Sequence, residues 1–384
     1  MGHWGRGKGA SPGGARAGRA RWEATAQWAS SRCGDAEMNS RERVIAALER
    51  RVPDRVPYFE CVIDTRVIEA LLPGADYFTF NDWIEMDTVG QNRSSWSREN
   101  VEFVDEARGL FRDKWGVIRA FGPESTPAPV EGPIKRPEDL KTYRPPDPEA
   151  PDVLGNLPEI VARYKGKKAI TAICRDAFFN PAFLRGTTQF LMDMVDNPRL
   201  VHELIELTLS HDLRAMERMV QAGVDVVVFG DDYADKNSTL MSPRHFKEFI
   251  LPGLKRCVDA AHAAGAYVVK HTDGNIMPII EMIIETGIDG LNPLEPQAGM
   301  DIGLLKERYG KRVALVGNID CGYLLSQATP DEVRRVTRDT MAKAKPGGGY
   351  CLSSSNSIHS SVKPENFLAM IETWRQYRDY PAAA

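Results

Sequence analysis

Residues 225–273 of the chain, DVVVFGDDYADKNSTLMSPRHFKEFILPGLKRCVDAAHAAGAYVVKHTD, alternate between strand-like and helix-like patterns. The two ends of this stretch are short apolar runs, and each run is followed by polar residues. Between them, apolar residues recur at the 3.6-residue period of an amphipathic helix, which is predicted over residues 243–264. Gly265 follows directly, as expected for a residue that ends a helix in the left-handed conformation. The stretch therefore predicts two parallel strands joined by a helical crossover.

The same alternation continues on both sides of this stretch. Strands are predicted at residues 56–63, 168–174, 225–230, 266–271, 289–292, 312–317 and 349–353. Helices are predicted at residues 198–222, 243–264, 276–285, 302–309, 330–345 and 364–377, and a further helix has Ser40 as its predicted N-cap. No GxGxxG, GxxxxGKS or GxxxxGKT motif follows a strand, which disfavours a nucleotide-binding doubly wound sheet. The sequence therefore favours the α/β class, as a single-domain (β/α)8 TIM barrel.

The barrel is predicted to occupy residues 38–384, because the residues before it differ in composition. Residues 1–37 are rich in Gly, Arg and Ala and contain almost no larger aliphatic side chains, so we expect a disordered N-terminal extension. Residues 64–165 contain the aromatic segments FNDW and FRDKWGV and a proline-rich link. This part predicts short helices and an antiparallel excursion from the barrel.

The charge balance and the cysteine content exclude several classes of protein. The chain has 384 residues, with 49 Lys and Arg against 53 Asp and Glu, for a net charge of −4. This mildly acidic balance gives no basic surface for nucleic acid. No apolar run approaches the roughly 18 residues of a membrane span, so we expect no membrane partner. Six cysteines without a CxxC pair favour a reduced, cytoplasmic protein. The sequence is compatible with a homodimer.

Polar side chains follow most of the predicted strands at the point where each strand ends. In a parallel barrel these ends meet at one rim, where the active site lies. The rim residues singled out as candidates are Glu60, Arg175, Asp231, Asp232, His271, Asp273, Asn292, Glu295, Asn318 and Asn356. By contrast, His202, His211, His245 and His262 lie on predicted helices outside the barrel and are interpreted as surface or packing residues.

His271 is the sharpest of these candidates, because it ends the apolar run AYVVK. It could bind a metal ion together with Asp273, act as a general acid or base, or form a hydrogen bond with a neighbouring loop. Asp231 and Asp232 are adjacent, and side chains alternate along a strand, so we expect only one of them to face the site. The alternative is that such an aspartate caps the turn that follows.

Four segments resemble the uroporphyrinogen decarboxylase superfamily, and together they imply a resemblance over roughly residues 38–378. They are MNSRERVIAALERRVPDRVPY, SPRHFKEFILPGLKRCVDAAHAAGAYVVKHTDGNI, VGNIDCGYLL and GGGYCLSSSNSIHSSVKPENFLAMIE. The resemblance implies a (β/α)8 barrel. One branch of this superfamily contains cofactor-free decarboxylases, whose first strand is followed by an arginine-rich loop. Here no arginine comes between Phe59 and Arg66, and we expect Glu60 to repel an acidic substrate.

The other branch transfers methyl groups to or from corrinoid proteins and thiols, with zinc held by a His-x-Cys motif and a later cysteine. His271 matches the first ligand, whereas Asp273 and Asn356 stand where the two cysteines would be. The resemblance therefore implies a site richer in oxygen than the family's thiolate site, with His271 and Asp273 as ligands of a divalent metal, zinc.

We therefore expect a methyltransferase that moves a methyl group between a small O- or N-methylated molecule and a corrinoid protein. The expected catalytic residues are His271, Asp232, Asp231 and Glu60, and the expected substrate-binding residues are Asn292, Glu295, Asn318, Asn356 and Arg175. The corrinoid would come on a partner protein, because this chain has no DxHxxG motif, and no covalently bound cofactor is expected. The alternatives are a cofactor-free uroporphyrinogen decarboxylase and a non-enzymatic ligand-binding barrel.

Overall fold

A computed structural model describes residues 38–91, 98–122 and 126–381. The extension predicted at residues 1–37 lies outside the described residues, so its disorder stays a prediction. Met38–Ala384 forms one compact unit. The strands are β1 Thr88–Gly90, β2 Phe103–Asp105, β3 Leu110–Arg112, β4 Ile118–Ala120, β5 Ala128–Glu131, β6 Ala169–Cys174, β7 Val226–Gly230, β8 Tyr267–His271, β9 Gly290–Asn292, β10 Ala314–Ile319 and β11 Tyr350–Ser354.

Seven of the described strands form one parallel sheet in the order β1-β6-β7-β8-β9-β10-β11. An extended segment lies between the two edge strands, where an eighth strand is expected. The backbone N–H of Phe59 donates to Leu352 O at 2.9 Å, and the N–H of Asp87 donates to Tyr58 O at 3.0 Å. The sheet is therefore closed into a barrel, which confirms the predicted fold class.

The eighth position of the barrel is irregular. The strand predicted at residues 56–63 lies where expected, but it does not form a regular ladder. Pro57 has no N–H to contribute to a ladder. The N–H of Tyr58 donates to the Asp87 carboxylate at 2.9 Å, so a side chain takes the place of a backbone acceptor. An isolated bridge between Tyr58 and Leu352 connects this segment to β11 in place of a continuous ladder.

The helices follow the predicted alternation. They are α1 Ser40–Leu48, α2 Thr65–Leu71, α3 Tyr77–Trp83, α4 Leu157–Tyr164, α5 Phe179–Arg185, α6 Thr187–Asp196, α7 Pro198–Ala222, α8 Pro243–His245, α9 Leu251–Ala264, α10 Ile280–Glu285, α11 Ile302–Tyr309, α12 Pro330–Ala344 and α13 Pro364–Tyr377. Short 3-10 helices cover Arg98–Asn100, Pro137–Lys141, Pro151–Val153 and Pro296–Ala298. No helix of the described ranges is both long and apolar enough to cross a membrane.

Three predicted helices differ from the structure in their start or in their continuity. Asn39, not Ser40, is the N-cap of α1, because its side chain and that of Glu42 form a reciprocal capping box. The helix predicted over residues 243–264 is interrupted by a π-helical turn at Phe246–Ile250. Pro252 lacks the N–H that a regular helix needs there. Helix α10 begins at Ile280, four residues later than predicted at position 276.

Residues between α3 and β6 form the predicted antiparallel excursion, a sheet in the order β2-β3-β4-β5. Strand β1 was not predicted, since three residues are too short for a periodic signal. At the other end of the barrel, α1 packs Val44, Ala47 and Leu48 against interior residues such as Val226 and Val269. Helix α1 therefore closes the end opposite the carboxyl ends of the strands, which leaves those ends to form a cavity.

Candidate active site at the carboxyl ends of the strands

A cavity of about 790 Å³ lies at the carboxyl ends of the barrel strands and extends toward the antiparallel excursion and α7. Its size is in the range of small-molecule sites. Five of the predicted site residues line it: Arg175, Asp232, His271, Asn292 and Asn356. The predicted metal ligand Asp273 lines it as well. The sequence-based choice of the strand ends therefore identified much of one wall.

His271, Asp232 and Asp273 form the most concentrated group of ligand atoms among the described residues. One donor atom of each residue lies within 4.8 Å of the other two. His271 Nε2 is 3.4 Å from Asp273 Oδ1 and 3.8 Å from Asp232 Oδ1. These three residues are called the triad below. Their spacing matches what a single small cation between them requires.

The strand register sets the tautomer of His271. His271 of β8 pairs with Asn292 of β9, and its Nδ1 lies 2.6 Å from Asn292 Oδ1. The Asn292 amide nitrogen donates to Val316 O at 3.1 Å, which fixes its oxygen toward the imidazole. An amide oxygen only accepts, so Nδ1 carries the proton and the Nε2 lone pair faces the two carboxylates.

Asp273 is held so that one oxygen stays available. Its Oδ2 accepts the Asn356 side-chain N–H at 2.5 Å. Its Oδ1 is buried and has no hydrogen-bond partner among the described residues. Burial and the nearby Asp232 and Glu295 carboxylates raise the pKa of Asp273 well above its usual value. Burial also lowers the pKa of His271. An imidazole lone pair and an orphaned carboxylate oxygen in one buried place fit a metal cation.

Asp231 and Asp232 point in opposite directions, so only one of them faces the cavity. Asp231 is fully buried, and its Oδ2 accepts the backbone N–H groups of Phe178 and Phe179 at 3.0 and 2.8 Å. It is not among the described residues that line the cavity. Asp231 therefore holds the segment after β6, and does not cap the turn that follows it, as the alternative expected.

Lys270 was missed by the sequence reasoning, although a lysine inside the apolar run AYVVKH was a visible signal. Its Nζ is 2.7 Å from Asp176 Oδ2, and both side chains are fully buried. Tyr233 donates its hydroxyl to Asp176 Oδ1 at 2.7 Å, and Lys270 Nζ lies 4.1 Å from the Tyr233 ring centre. Burial and the Asp231 carboxylate raise the pKa of Asp176 to about 7. This network joins the segments that follow β6 and β7 to β8.

Glu60 lies in a different environment from the one expected. It is 3% exposed, and burial raises its pKa to about 8. It is not among the described residues that line the cavity. The expectation that a charged Glu60 repels an acidic substrate is therefore wrong, because the group is removed from the cavity surface and held largely neutral near pH 7.

The remaining predicted residues differ in how they meet the cavity. Arg175 lines it, and its guanidinium donates to the carbonyl of Gly230 and lies 4.9 Å from the Phe179 ring centre. Glu295 accepts the N–H of Gly274 at 2.9 Å and so orders the loop after β8. Asn318 is buried and donates to Leu294 O at 2.7 Å. Neither Glu295 nor Asn318 is among the described lining residues.

A second polar group in the cavity wall was not predicted. His211 of α7 is 7% exposed, lines the cavity, and lies 3.0 Å through Nδ1 from Asp212 Oδ1. The amide nitrogen of Asn180 donates to Asp212 Oδ2 at 2.7 Å. The interpretation of His211 as a surface or packing residue on a helix outside the barrel therefore holds for its burial, but its place in the cavity wall was not predicted. Ala215 and Met219 follow His211 at four-residue steps and line the same cavity, so one face of α7 forms this part of the wall.

The comparisons with known proteins agree with this fold. The family model for uroporphyrinogen decarboxylase (URO-D) matches residues 113–377, which is more than half of the chain. The uroporphyrinogen decarboxylase of Hydrogenovibrio crunogenus is 26% identical over 189 residues, or 47% of this chain and 49% of that relative. That of Psychromonas ingrahamii is 25% identical over 290 residues, or 70% of this chain and 77% of the relative.

A solved structure of a methyltransferase from Methanosarcina mazei superposes with a TM-score of 0.70 at 20% identity. The match covers 89% of this chain and 99% of that one. At this identity the likeness shows the fold alone. The chain spans about half the length of curated relatives such as those of Hydrogenovibrio crunogenus and Thioalkalivibrio sulfidiphilus. The reaction must therefore be argued from the site.

Proposed function

The chain belongs to the uroporphyrinogen decarboxylase family, and from that premise we propose that it is a metal-assisted methyltransferase. Its substrates would be a small O- or N-methylated molecule and a corrinoid carried by a partner protein. The observation that carries this proposal is the triad, in which an imidazole and two carboxylate oxygens lie within 4.8 Å at a cavity wall. The family is one of enzymes, which favours catalysis over a non-enzymatic ligand-binding barrel.

The triad fits a divalent cation such as zinc. One histidine nitrogen and two carboxylate oxygens form a three-residue set that leaves a coordination position for substrate, as in catalytic zinc sites. A cation held there supplies Lewis acidity to the heteroatom that loses the methyl group. His271 and Asp273 are the proposed principal ligands, and Asp232 is the third.

The protein's own side chains prepare this site. Asn292 holds His271 in the tautomer that presents Nε2. Asn356 binds one oxygen of Asp273 and leaves the other toward the triad. The backbone N–H of Asp273 donates to Asp232 Oδ1 at 3.0 Å, which fixes the Asp232 carboxylate against the loop after β8. Because each group is fixed before substrate arrives, little reorganisation is needed during the reaction.

Cofactor-free decarboxylation is the second candidate, and the curated relatives named uroporphyrinogen decarboxylase favour it. An anionic substrate would need cationic side chains in the cavity, and Lys114, Arg119 and Arg175 do line it. Arg119 lies 2.6 Å from Asp113, and Arg66 lies 3.0 Å from Asp64 outside the described lining. Lys114 lies 3.3 Å from Asp152, and Arg175 lies 3.5 Å from Asp231. Each of the Lys and Arg side chains described in the cavity lining therefore already has a carboxylate partner.

Two measurements on the purified protein test the proposal. The first is metal content by mass spectrometry, for the wild type, His271→Ala, Asp273→Asn and the exposed control His202→Ala. We expect one bound divalent metal in the wild type and the control, and loss of it in the two triad variants. The second is formation of methylcobalamin from cob(I)alamin with a panel of O- and N-methylated molecules.

The same preparation is given uroporphyrinogen, and coproporphyrinogen is measured. Methylcobalamin formation that depends on bound metal supports methyl transfer. Coproporphyrinogen formation by metal-free protein would reject it in favour of decarboxylation. Full activity of the metal-free protein would reject the proposal that the triad is a metal site.

A further inference from the structure

We propose that Glu60 supplies the proton that the reaction consumes, and passes it to the substrate through the hydroxyl group of Ser353. The inference depends on the proposed function only in requiring a reaction that takes up a proton. Both candidate reactions do so. Its evidence lies in the hydrogen bonds around Glu60, on the barrel segment that takes the place of an eighth strand.

The hydroxyl of Ser354 shows which partner carries the proton. Its oxygen lies 2.8 Å from Glu60 Oε2 and also within hydrogen-bond distance of the backbone carbonyl oxygen of Asn356. A hydroxyl has one proton to donate, and a carbonyl oxygen can only accept. The Ser354 proton therefore goes to the Asn356 carbonyl, and the contact with Glu60 is a hydrogen bond only if Glu60 donates.

The other oxygen of the same carboxyl group behaves as the carbonyl of an acid. Glu60 Oε1 accepts the backbone N–H of Ser354 at 2.7 Å and the hydroxyl of Tyr58 at 3.3 Å. One oxygen that accepts and one that donates is the pattern of a neutral carboxylic acid. Burial independently raises the pKa of Glu60 to about 8.

The titratable groups that face Glu60 do not compete with it near neutral pH. They are Tyr58 on its own segment, Tyr77 on α3 and Cys321 after β10. Burial raises the pKa of Tyr77 and of Cys321 to about 12 each, and that of Tyr58 well above its usual value. Glu60 is therefore the member of this group that loses a proton between neutral and mildly alkaline pH.

Ser353 connects Glu60 to the cavity. Its hydroxyl oxygen lies 3.5 Å from Glu60 Oε2, and the residue lines the cavity wall. Glu60 itself is not among the described lining residues, so a proton from it needs such an intermediary. Transfer requires the Glu60 O–H to turn from Ser354 to Ser353, and rotation about χ1 of Ser353 to present its own proton to the cavity.

The proton balance is the same for both reactions. In methyl transfer the carbon–heteroatom bond breaks, the methyl group joins the cobalt(I) of the corrinoid, and the bonding electron pair stays on the heteroatom. In decarboxylation the carbon–carbon bond breaks, carbon dioxide leaves, and the electron pair stays on carbon. That atom takes the Ser353 proton, Ser353 takes the proton of Glu60, and the resulting carboxylate regains a proton from water.

The first test measures protonation directly and requires no substrate. Infrared spectra are recorded on the full chain with 13C-labelled glutamate, for the wild type, Glu60→Gln and the exposed control Glu159→Gln. At pH 7 we expect a carboxylic-acid carbonyl band in the wild type and in the control, and no such band in Glu60→Gln. The band of the wild type should disappear as the pH rises through about 8. A Glu60 carboxylate band at pH 7 would overturn the proposal.

The second test follows the rate of whichever reaction the protein catalyses as a function of pH. Glu60→Gln keeps one accepting and one donating atom, so its fold is expected to persist, as checked by thermal unfolding. Its rate should fall about 100-fold, a typical loss for a missing proton donor, and the alkaline decline of the wild type near pH 8 should vanish. Ser353→Ala should slow the reaction while keeping the infrared band, whereas the exposed control Ser361→Ala should keep both the wild-type rate and the band. A Glu60→Gln rate within about threefold of wild type, with the same pH profile, contradicts the proposal.

Discussion

His271 Nδ1 lies 2.6 Å from Asn292 Oδ1, because the register of β8 and β9 places the two residues side by side at the end of the sheet. Asn292 is itself fixed by the Val316 carbonyl of the next strand. Three neighbouring strands thus determine which imidazole nitrogen faces Asp232 and Asp273. The orientation of a single ring follows from strand pairing, and the proposed metal site depends on it.

Asn292→Ala tests this dependence. Loss of the amide oxygen leaves the imidazole without its orienting acceptor. Removal of a residue that hydrogen-bonds a metal ligand typically lowers the metal affinity about 10–100-fold. We expect zinc affinity, measured by competition with a chelator, to fall by that factor while zinc remains bound at saturating concentrations. Unchanged affinity would mean that the Asn292 contact does not position His271.

His271→Ala should lower the turnover rate at least about 100-fold. The same substitution should change the free energy of unfolding by about 1 kcal/mol or less. The side chain is at the cavity wall, where water can replace its contact with Asn292. Asp273→Ala and Asp232→Ala should each lower bound metal as well as rate. The exposed variant His202→Ala serves as the control for turnover. Near-normal turnover of His271→Ala would show that His271 takes no part in the reaction.

Lys270→Met should destabilise the protein by about 3–5 kcal/mol, the usual cost of leaving one charge of a buried pair alone. Both partners are fully buried, so bulk solvent does not reach the Asp176 carboxylate. Urea unfolding of Lys270→Met, of Asp176→Asn and of the double variant measures the coupling. If the double variant is no more stable than Lys270→Met, the penalty does not come from the unpaired Asp176 charge.

The pH dependence of stability should show the buried state of Glu60. Its pKa is about 8 in the folded protein against 4.5 for an ordinary glutamate, so the folded state binds the proton more tightly. Between these two values the unfolded state has fewer protons bound, and the unfolding free energy therefore falls as pH rises. Glu60→Gln removes this contribution, so its decline between about pH 5 and 8 should be shallower than that of the wild type. Parallel curves from chemical denaturation would contradict the raised pKa.

Deletion of residues 1–37 should leave the fold and the reaction intact, since that segment has few side chains able to join a core. The melting temperature and the turnover of a chain that begins at Met38 measure this directly. Insoluble protein, or a large drop in melting temperature, would show that the segment contributes to the folded barrel.

Much of the barrel could be predicted from local patterns. Helix and strand periods are properties of short segments, and glycines such as Gly265, with φ of +97°, end helices where the pattern indicated. Strand β1 and the irregular segment at Tyr58 could not be read in the same way. One is too short for a period, and the other is held by the side chain of Asp87, which lies 29 residues away.

Part of the candidate site could likewise be predicted from local sequence, and part could not. The sequence by itself determined that polar residues follow the strands, and so it indicated His271, Asp273, Asn292 and Asn356. It could not tell Asp231 from Asp232. In a parallel barrel both faces of a strand are buried, so the apolar run DVVVFG has no polar face to show which side is the interior.

Only the tertiary structure decided which distant groups meet and how much water they keep. It paired Lys270 with Asp176 across 94 positions, brought His211 of α7 to the cavity, and buried Glu60 against Ser354. Each outcome depends on barrel closure and on the register between strands. The pKa of a carboxyl group follows from that burial and from its neighbours, and neither is encoded in the residues beside it in the chain.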